Sequence, residues 1–205
     1  MTGTRRVRDT EKTRQQILAA ASELFVREGY EAVSVRKIAA LAKISHGTIY
    51  IHFKDKDDLL YQASEEQFAR LLSRLRRLPR SREPLQRLAD ALLETMRFGL
   101  DSPNEYQLMM GLRTTFGGPK SPNQWGPSAA QVEAFFDDIL DDAYASGAIG
   151  QAGNRELDEH VLLGMIHGVV LAGASEGFDQ EQGRQLAERA VEVLIAGLRH
   201  GSRGA

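Results

Sequence analysis

Apolar residues recur at intervals of three and four along most of this chain, and no run alternates with a period of two. That periodicity predicts helices throughout. The first is expected from about Thr10 to Arg27, with Ile17, Ala20, Ala21, Leu24 and Phe25 on one face and Gly29 as a left-handed cap. Ser34 has the character of an N-cap for a second helix that buries Val35, Ile38, Ala39 and Ala42. Ser45 caps a third, carrying Ile49, Tyr50 and Phe53. A fourth is expected from about Asp55 to Leu78, with Asp57 and Asp58 in the first turn, where the helix dipole favours negative charge.

Five more follow. Pro84 opens one to about Phe98, and Ser102-Pro103-Asn104-Glu105 sets a capping residue, a proline and a glutamate in the order of a helix start. Gly117-Gly118-Pro119 ends that helix, and a polar loop with Trp125 comes next. Ser128 and Gln131 form a second capping box, with Gly147 as the stop. Asn154 caps the eighth helix, to about Glu176, and Asp179 opens the ninth, to about Arg199. The expected fold is therefore all-α, with about nine helices. A small three-helix domain at 1–55 precedes a larger helical domain at 56–205.

Composition narrows the classes. There is no cysteine, which removes disulfides, thiolate nucleophiles and cysteine zinc sites. The stretch 161–175 is apolar but short of the ~20 residues a membrane span needs, and it contains His167, so a core or interface helix is expected and no membrane partner. Charge is unevenly placed. Residues 1–56 hold 11 Lys and Arg against 6 Asp and Glu, and the remainder holds 15 against 22. A basic end on an acidic body suits a protein that offers one end to a polyanion.

The positions left outward near Ser45 carry the chemistry. Two short helices joined by a tight turn can place the second in a DNA major groove. Gly47 costs that helix about 1 kcal/mol against alanine, which is tolerated where another backbone or a thymine methyl comes close, or where a neighbouring helix packs tightly. Ser34, Ser45, His46, Thr48 and His52 offer hydrogen-bonding groups, and Tyr50 a hydroxyl on a packing ring. Lys54, Lys56 and Tyr50 suit phosphates, which fix position, and Arg36, His46 and Thr48 suit base edges, which fix sequence.

The segment Ile44-Ser45-His46-Gly47-Thr48-Ile49-Tyr50-Ile51-His52-Phe53-Lys54-Asp55-Lys56-Asp57-Asp58-Leu59 resembles the recognition-helix signature of TetR-type (tetracycline-repressor-like) transcriptional regulators, through Gly47, Tyr50, Phe53, Lys56 and Leu59. Thr13 to Leu18, with Ala21, Leu24, Phe25 and Gly29, resembles the first helix of that family, and Ser34-Val35-Arg36 with Ile38-Ala39 the second. The resemblance implies a cytoplasmic homodimer that binds double-stranded operator DNA through its first three helices. It also implies repression relieved by a small-molecule inducer, and no enzyme activity or cofactor. Lys43 departs from the pattern, standing in the turn where the family often has glycine. A left-handed lysine there is strained by roughly 1 kcal/mol or more.

In the body, Gly164, Gly168 and Ala172 recur every four residues. With Leu186, Ala190, Val193, Leu194 and Gly197 they suit a two-fold four-helix interface, or close packing within one chain. Met96, Phe98, Tyr106, Met109, Met110, Phe116, Trp125, Phe135, Phe136 and His167 are candidates to line a ligand pocket, or plain core. Asp137, Asp138, Asp141 and Asp142 allow a helical carboxylate-metal enzyme as an alternative, or a solvated face. His160 and His167 lie ~10 Å apart along a helix, too far to share one ion, and no metal site is expected. A helical protein-interaction module is the remaining alternative.

Overall fold

The computed structural model of the chain describes residues 3–79, 83–115, 126–150 and 154–200. Among these residues there are nine helices and no strands: α1 (Gly3–Glu28), α2 (Val35–Leu41), α3 (His46–His52), α4 (Lys56–Leu75), α5 (Pro84–Asp101), α6 (Pro103–Thr115), α7 (Pro127–Ala145), α8 (Arg155–Ser175) and α9 (Gln180–His200). The fold is all-α, as the periodicity predicts. It forms two compact units, Met1–Phe68 with Asn104–Ser128, and Ala69–Pro103 with Ala129–Ala205.

The first unit is built on the stripe of α1. Ile17, Ala21, Leu24 and Phe25 pack with Ile38 and Ala39 of α2, Ile49 of α3, Phe53, Leu59 and Leu60. Ile17, Ile38, Ile49 and Leu59 are fully buried. Each such side chain contributes about 1.5–3 kcal/mol by leaving water. Two serines set the starts of the short helices: Ser34 Oγ accepts from the amide of Lys37 at 3.3 Å, and Ser45 Oγ from that of Thr48 at 3.1 Å. Gly29, at φ +80°, ends α1 with its amide on Phe25 O.

The turn after α2 closes with paired bonds, the amide of Lys43 to Ala40 O at 3.2 Å and that of Ile44 to Ala39 O at 3.0 Å. This is a Schellman cap, whose geometry needs a left-handed residue at the lysine. Lys43 has φ +55°, the one positive φ outside glycine among the described residues. Further on, Ser64 Oγ donates to Leu108 O at 2.6 Å and joins α4 to α6.

In the second unit α5 packs against α8 and α9. It does so along a wide buried face that includes Leu88, Leu92, Met96 and Phe98. Arg155 bridges α8 to α7 through Asp137 at 2.6 Å and Asp141 at 2.7 Å, and Arg87 reaches Asp142 at 3.0 Å. These carboxylates meet arginines, and among the described residues no group of three or more side chains could hold a metal. By length and composition alone α8 could cross a membrane. Its outer side is a stripe of Leu157, Val161, Gly164, Gly168, Leu171 and Ala172, all exposed.

Four boundaries differ from the periodicity, one of them the end of α5, which runs to Asp101 rather than Phe98. α1 begins at Gly3 rather than Thr10, because the added turns carry no apolar stripe to announce them. α4 ends at Leu75 rather than Leu78, where the amides of Arg77 and Leu78 switch to carbonyls three residues back. α7 starts with Pro127, one residue before the position given to the capping Ser128. The amide of Ser128 donates to Glu65 Oε1 at 2.6 Å, so the cap comes from α4 rather than from Ser128 itself.

Candidate nucleic-acid interface

α3 has one buried side and one bare side. Ile49 (0% exposed) and Phe53 (2%) anchor it, while His46, Gly47, Tyr50 and Ile51 face solvent. Tyr50 is 51% exposed, and its ring stands edge-on to His46 at 5.1 Å. A Cβ added at Gly47 would meet only Ser45 Oγ, at 3.9 Å, so tight intrachain packing does not explain this glycine. Thr48 is half-buried, and its hydroxyl pairs with Ser45 Oγ at 2.7 Å. His52 is half-buried beside Phe53. Ser34 is exposed but committed to its cap.

The basic residues divide into two groups. Several are occupied within the unit. Lys37 donates to Glu28 at 2.7 Å and to Ala32 O at 3.0 Å. Together with Arg27 it holds the Glu28 carboxyl below its ordinary range. Arg14 donates to Gln62 at 2.9 Å and lies over the Phe53 ring. Lys56, expected to face a phosphate, donates its ammonium to Tyr30 O at 2.9 Å and sits 3.9 Å from the centre of the Tyr30 ring. It thereby locks the end of α1 to the start of α4. By contrast, Lys12, Arg36, Lys43 and Lys54 are exposed and form no ion pair among the described residues. Three of these four, Arg36, Lys43 and Lys54, flank α3 in sequence.

The start of α4 differs from the anion site expected there. The amide of Asp58 donates to Asp55 Oδ1 at 2.8 Å, and that of Lys54 to Asp58 Oδ2 at 2.9 Å. Carboxylates of the chain thus already serve two of the amides that a phosphate would use. Lys54 remains free to meet an anion through its side chain. Sequence reasoning also passed over Ile51, which is 79% exposed. A helical wheel centred on the buried Ile49 places Ile51 two residues and about 200° away, and that signal was available.

The other candidates separate. Tyr106 and Met109 are buried in the first unit, with Met110 half-buried. Met96 and Phe98 are buried in the second, with Phe135, Phe136 and His167 half-buried. Phe116 and Trp125 lie outside the described residues. Gly164, Gly168, Ala172, Val193 and Gly197 are exposed, and Leu186 and Ala190 half-exposed. Leu194 turns inward instead, 7% exposed, about 100° around α9 from Val193, so it packs its own chain.

Comparison with known proteins agrees with this geometry. Residues 17–63 match the family described as bacterial regulatory proteins, tetR family, and residues 85–198 match the tetracyclin repressor-like C-terminal domain. The HTH-type transcriptional regulator HbdR of Aromatoleum sp. (strain CIB) is 47% identical over 51 residues, 25% of this chain and 22% of its own length. An uncharacterized HTH-type transcriptional regulator of Haemophilus influenzae is 39% identical over 61 residues, 30% of this chain and 33% of its own length. The chain therefore spans no more than a third of these curated relatives. Among solved structures, a putative tetR family transcription regulator from Shewanella sp. PV-4 aligns with a TM-score of 0.72 at 19% identity, over 91% of this chain and 97% of that one. The transcriptional regulator FadR of Bacillus subtilis, solved in complex with stearoyl-CoA, aligns at 0.69 and 22%, over 89% and 98%. At such identities the structures speak for the fold alone. With its helix-turn-helix and its C-terminal region both matched, the chain belongs to the tetR family of bacterial regulatory proteins, which are DNA-binding transcriptional regulators.

Proposed function

We propose that this regulator is a cytoplasmic homodimer that represses by holding a pseudo-palindromic operator and lets go when a small molecule binds its body. One observation carries the DNA half of the reading: Gly47, Tyr50 and Ile51 on the outer side of α3 are exposed, and cations that form no ion pair among the described residues flank it. Arg36, Lys43, Lys54 and Tyr50 serve the duplex backbone, with Arg36, His46 and Thr48 nearest the base edges. Ser34, Ser45 and His52 shape and border this surface. Lys56 acts mainly by holding the start of α4 against Tyr30, just after α1.

The exposed stripe on α8, with Leu186, Ala190, Val193 and Gly197 of α9, supports dimerisation. Pairing with a second copy would cover the apolar side chains that otherwise face water. It also gives α8 a role other than crossing a membrane. Two recognition helices must stand about 34–36 Å apart to enter successive major grooves. An inducer that prefers another tilt of α4 would break that spacing, with leverage equal to its differential affinity for the two states.

For the inducer, buried and adaptable Met109 favours an apolar chain. Gln67, 5% exposed, has a side-chain oxygen with no partner among the described residues, which favours a ligand that donates a hydrogen bond. Since the Bacillus FadR structure holds stearoyl-CoA, an acyl-CoA series is the first to screen. The DNA reading is tested by a salt titration of duplex binding. Three cations from each of two subunits predict a log–log slope of about −5. A slope near zero contradicts it.

A further inference from the structure

We infer that Ile51 reads the C5-methyl groups of thymine in the major groove. This rests on the DNA-binding reading above. Ile51 is 79% exposed, more than any other large apolar side chain among the described residues. The other prominent ones, Leu157, Val161 and Leu171, belong to the α8 stripe, whereas Ile51 stands on a seven-residue helix of the reading head. Its position follows from packing. With Ile49 at 0% and Phe53 at 2% exposure holding the inner side of α3, the residue between them must point away from the core.

What surrounds Ile51 narrows the occupant. Side chains on a helix lean toward its N-terminus, which carries Ile51 over Gly47 and Thr48, four and three residues earlier. Gly47 presents a bare shelf, where an added Cβ would touch only Ser45 Oγ, at 3.9 Å. Thr48, half-buried, has its hydroxyl paired with Ser45, so it adds no unpaired hydroxyl beside Ile51. The result is an apolar notch on a helix flanked by Arg36, Lys43 and Lys54, none ion-paired among the described residues. A second copy of this face would set like charges against one another. A major groove offers phosphates to the cations, and the thymine methyl is the apolar group on its base edges.

The test begins with a duplex that the wild type selects from random DNA. The same duplex is then made with deoxyuridine for thymidine, which removes only the methyl groups. Affinities are measured by fluorescence anisotropy for the wild type and for Ile51→Ala, an exposed position whose truncation leaves the core intact. Each methyl lost from such a contact is expected to weaken wild-type binding about fourfold, so about fifteenfold for two half-sites. Ile51→Ala should bind the thymine duplex weaker by a similar factor, with its thymine-to-uracil ratio near one and its salt slope unchanged. A wild-type ratio of one, or a ratio that persists in Ile51→Ala, overturns the inference while leaving the DNA reading intact. Wild-type binding that lacks salt dependence overturns both.

Discussion

Replacing Lys43 with glycine and, separately, with alanine isolates the strain in the helix-turn-helix turn. Lys43 holds φ +55° because the Schellman cap of α2 requires it, with its own amide on Ala40 O and the next on Ala39 O. Both variants remove the ammonium, so the favourable placement of a cation at the end of α2 is lost equally and cancels. They differ only at Cβ. A left-handed non-glycine residue costs roughly 1–2 kcal/mol. Glycine gives back about 0.4–1 kcal/mol through the greater freedom of the unfolded chain. Glycine should therefore be the more stable of the two by about 0.8 kcal/mol, which for a chain of this size is a Tm difference of about 2–3 °C. Differential scanning calorimetry, with urea unfolding to verify an unchanged m-value, reads it directly. Equal stabilities, or a more stable alanine variant, would refute the strain argument. In duplex binding both variants should flatten the salt slope by about two units for a dimer.

Three other outcomes are expected. Gly164→Ala with Gly168→Ala adds methyls that meet nothing within 4 Å in one chain, so monomer stability should rise by about 1 kcal/mol for each residue. If the α8 stripe faces a partner, the dimer should weaken about tenfold or more in sedimentation, and an unchanged dimer would place the interface elsewhere. Lys56→Ala, losing Tyr30 O and the Tyr30 ring, should lower Tm by about 4 °C, and an unchanged Tm would return this lysine to a purely phosphate-binding role. Burial first, and then its hydrogen bond to Asp158, push the Tyr144 phenol up to about 12. Because the neutral form is favoured in the fold, this contribution to stability is complete below the ordinary tyrosine range near 10 and is lost as pH rises towards 12. A tyrosinate absorbance titration should lose its latest-titrating phenol in Tyr144→Phe, and retention of that step would reassign it.

Much of this architecture was legible from local rules. The stripes of α1 to α3 announced their buried faces, the serine at 45 and the asparagine at 154 capped where hydroxyl and amide side chains favour it, and Gly29, Gly147 and Gly177 stand at positive φ after helix ends. What escaped was set by distant partners or by the lack of any apolar signal. The first turns of α1 hold a lone large apolar residue, Val7, and so no stripe. The cap of α7 comes from Glu65, 63 residues earlier in the chain. Lys56 reads as a surface cation until Tyr30, 26 residues earlier in the chain, is seen beneath it. Leu194 and Val193 are adjacent in sequence, and only the packing of α9 tells which faces inward.

The central claim is that the outer side of α3 chooses the DNA sequence. Selection from random duplex DNA tests it most directly, run with the wild type and with a variant in which His46, Tyr50 and Ile51 are alanine and whose circular dichroism matches the wild type. The wild type should enrich an inverted repeat with half-sites about one helical turn apart, and the variant should enrich none. The same repeat recovered by both proteins would contradict the account.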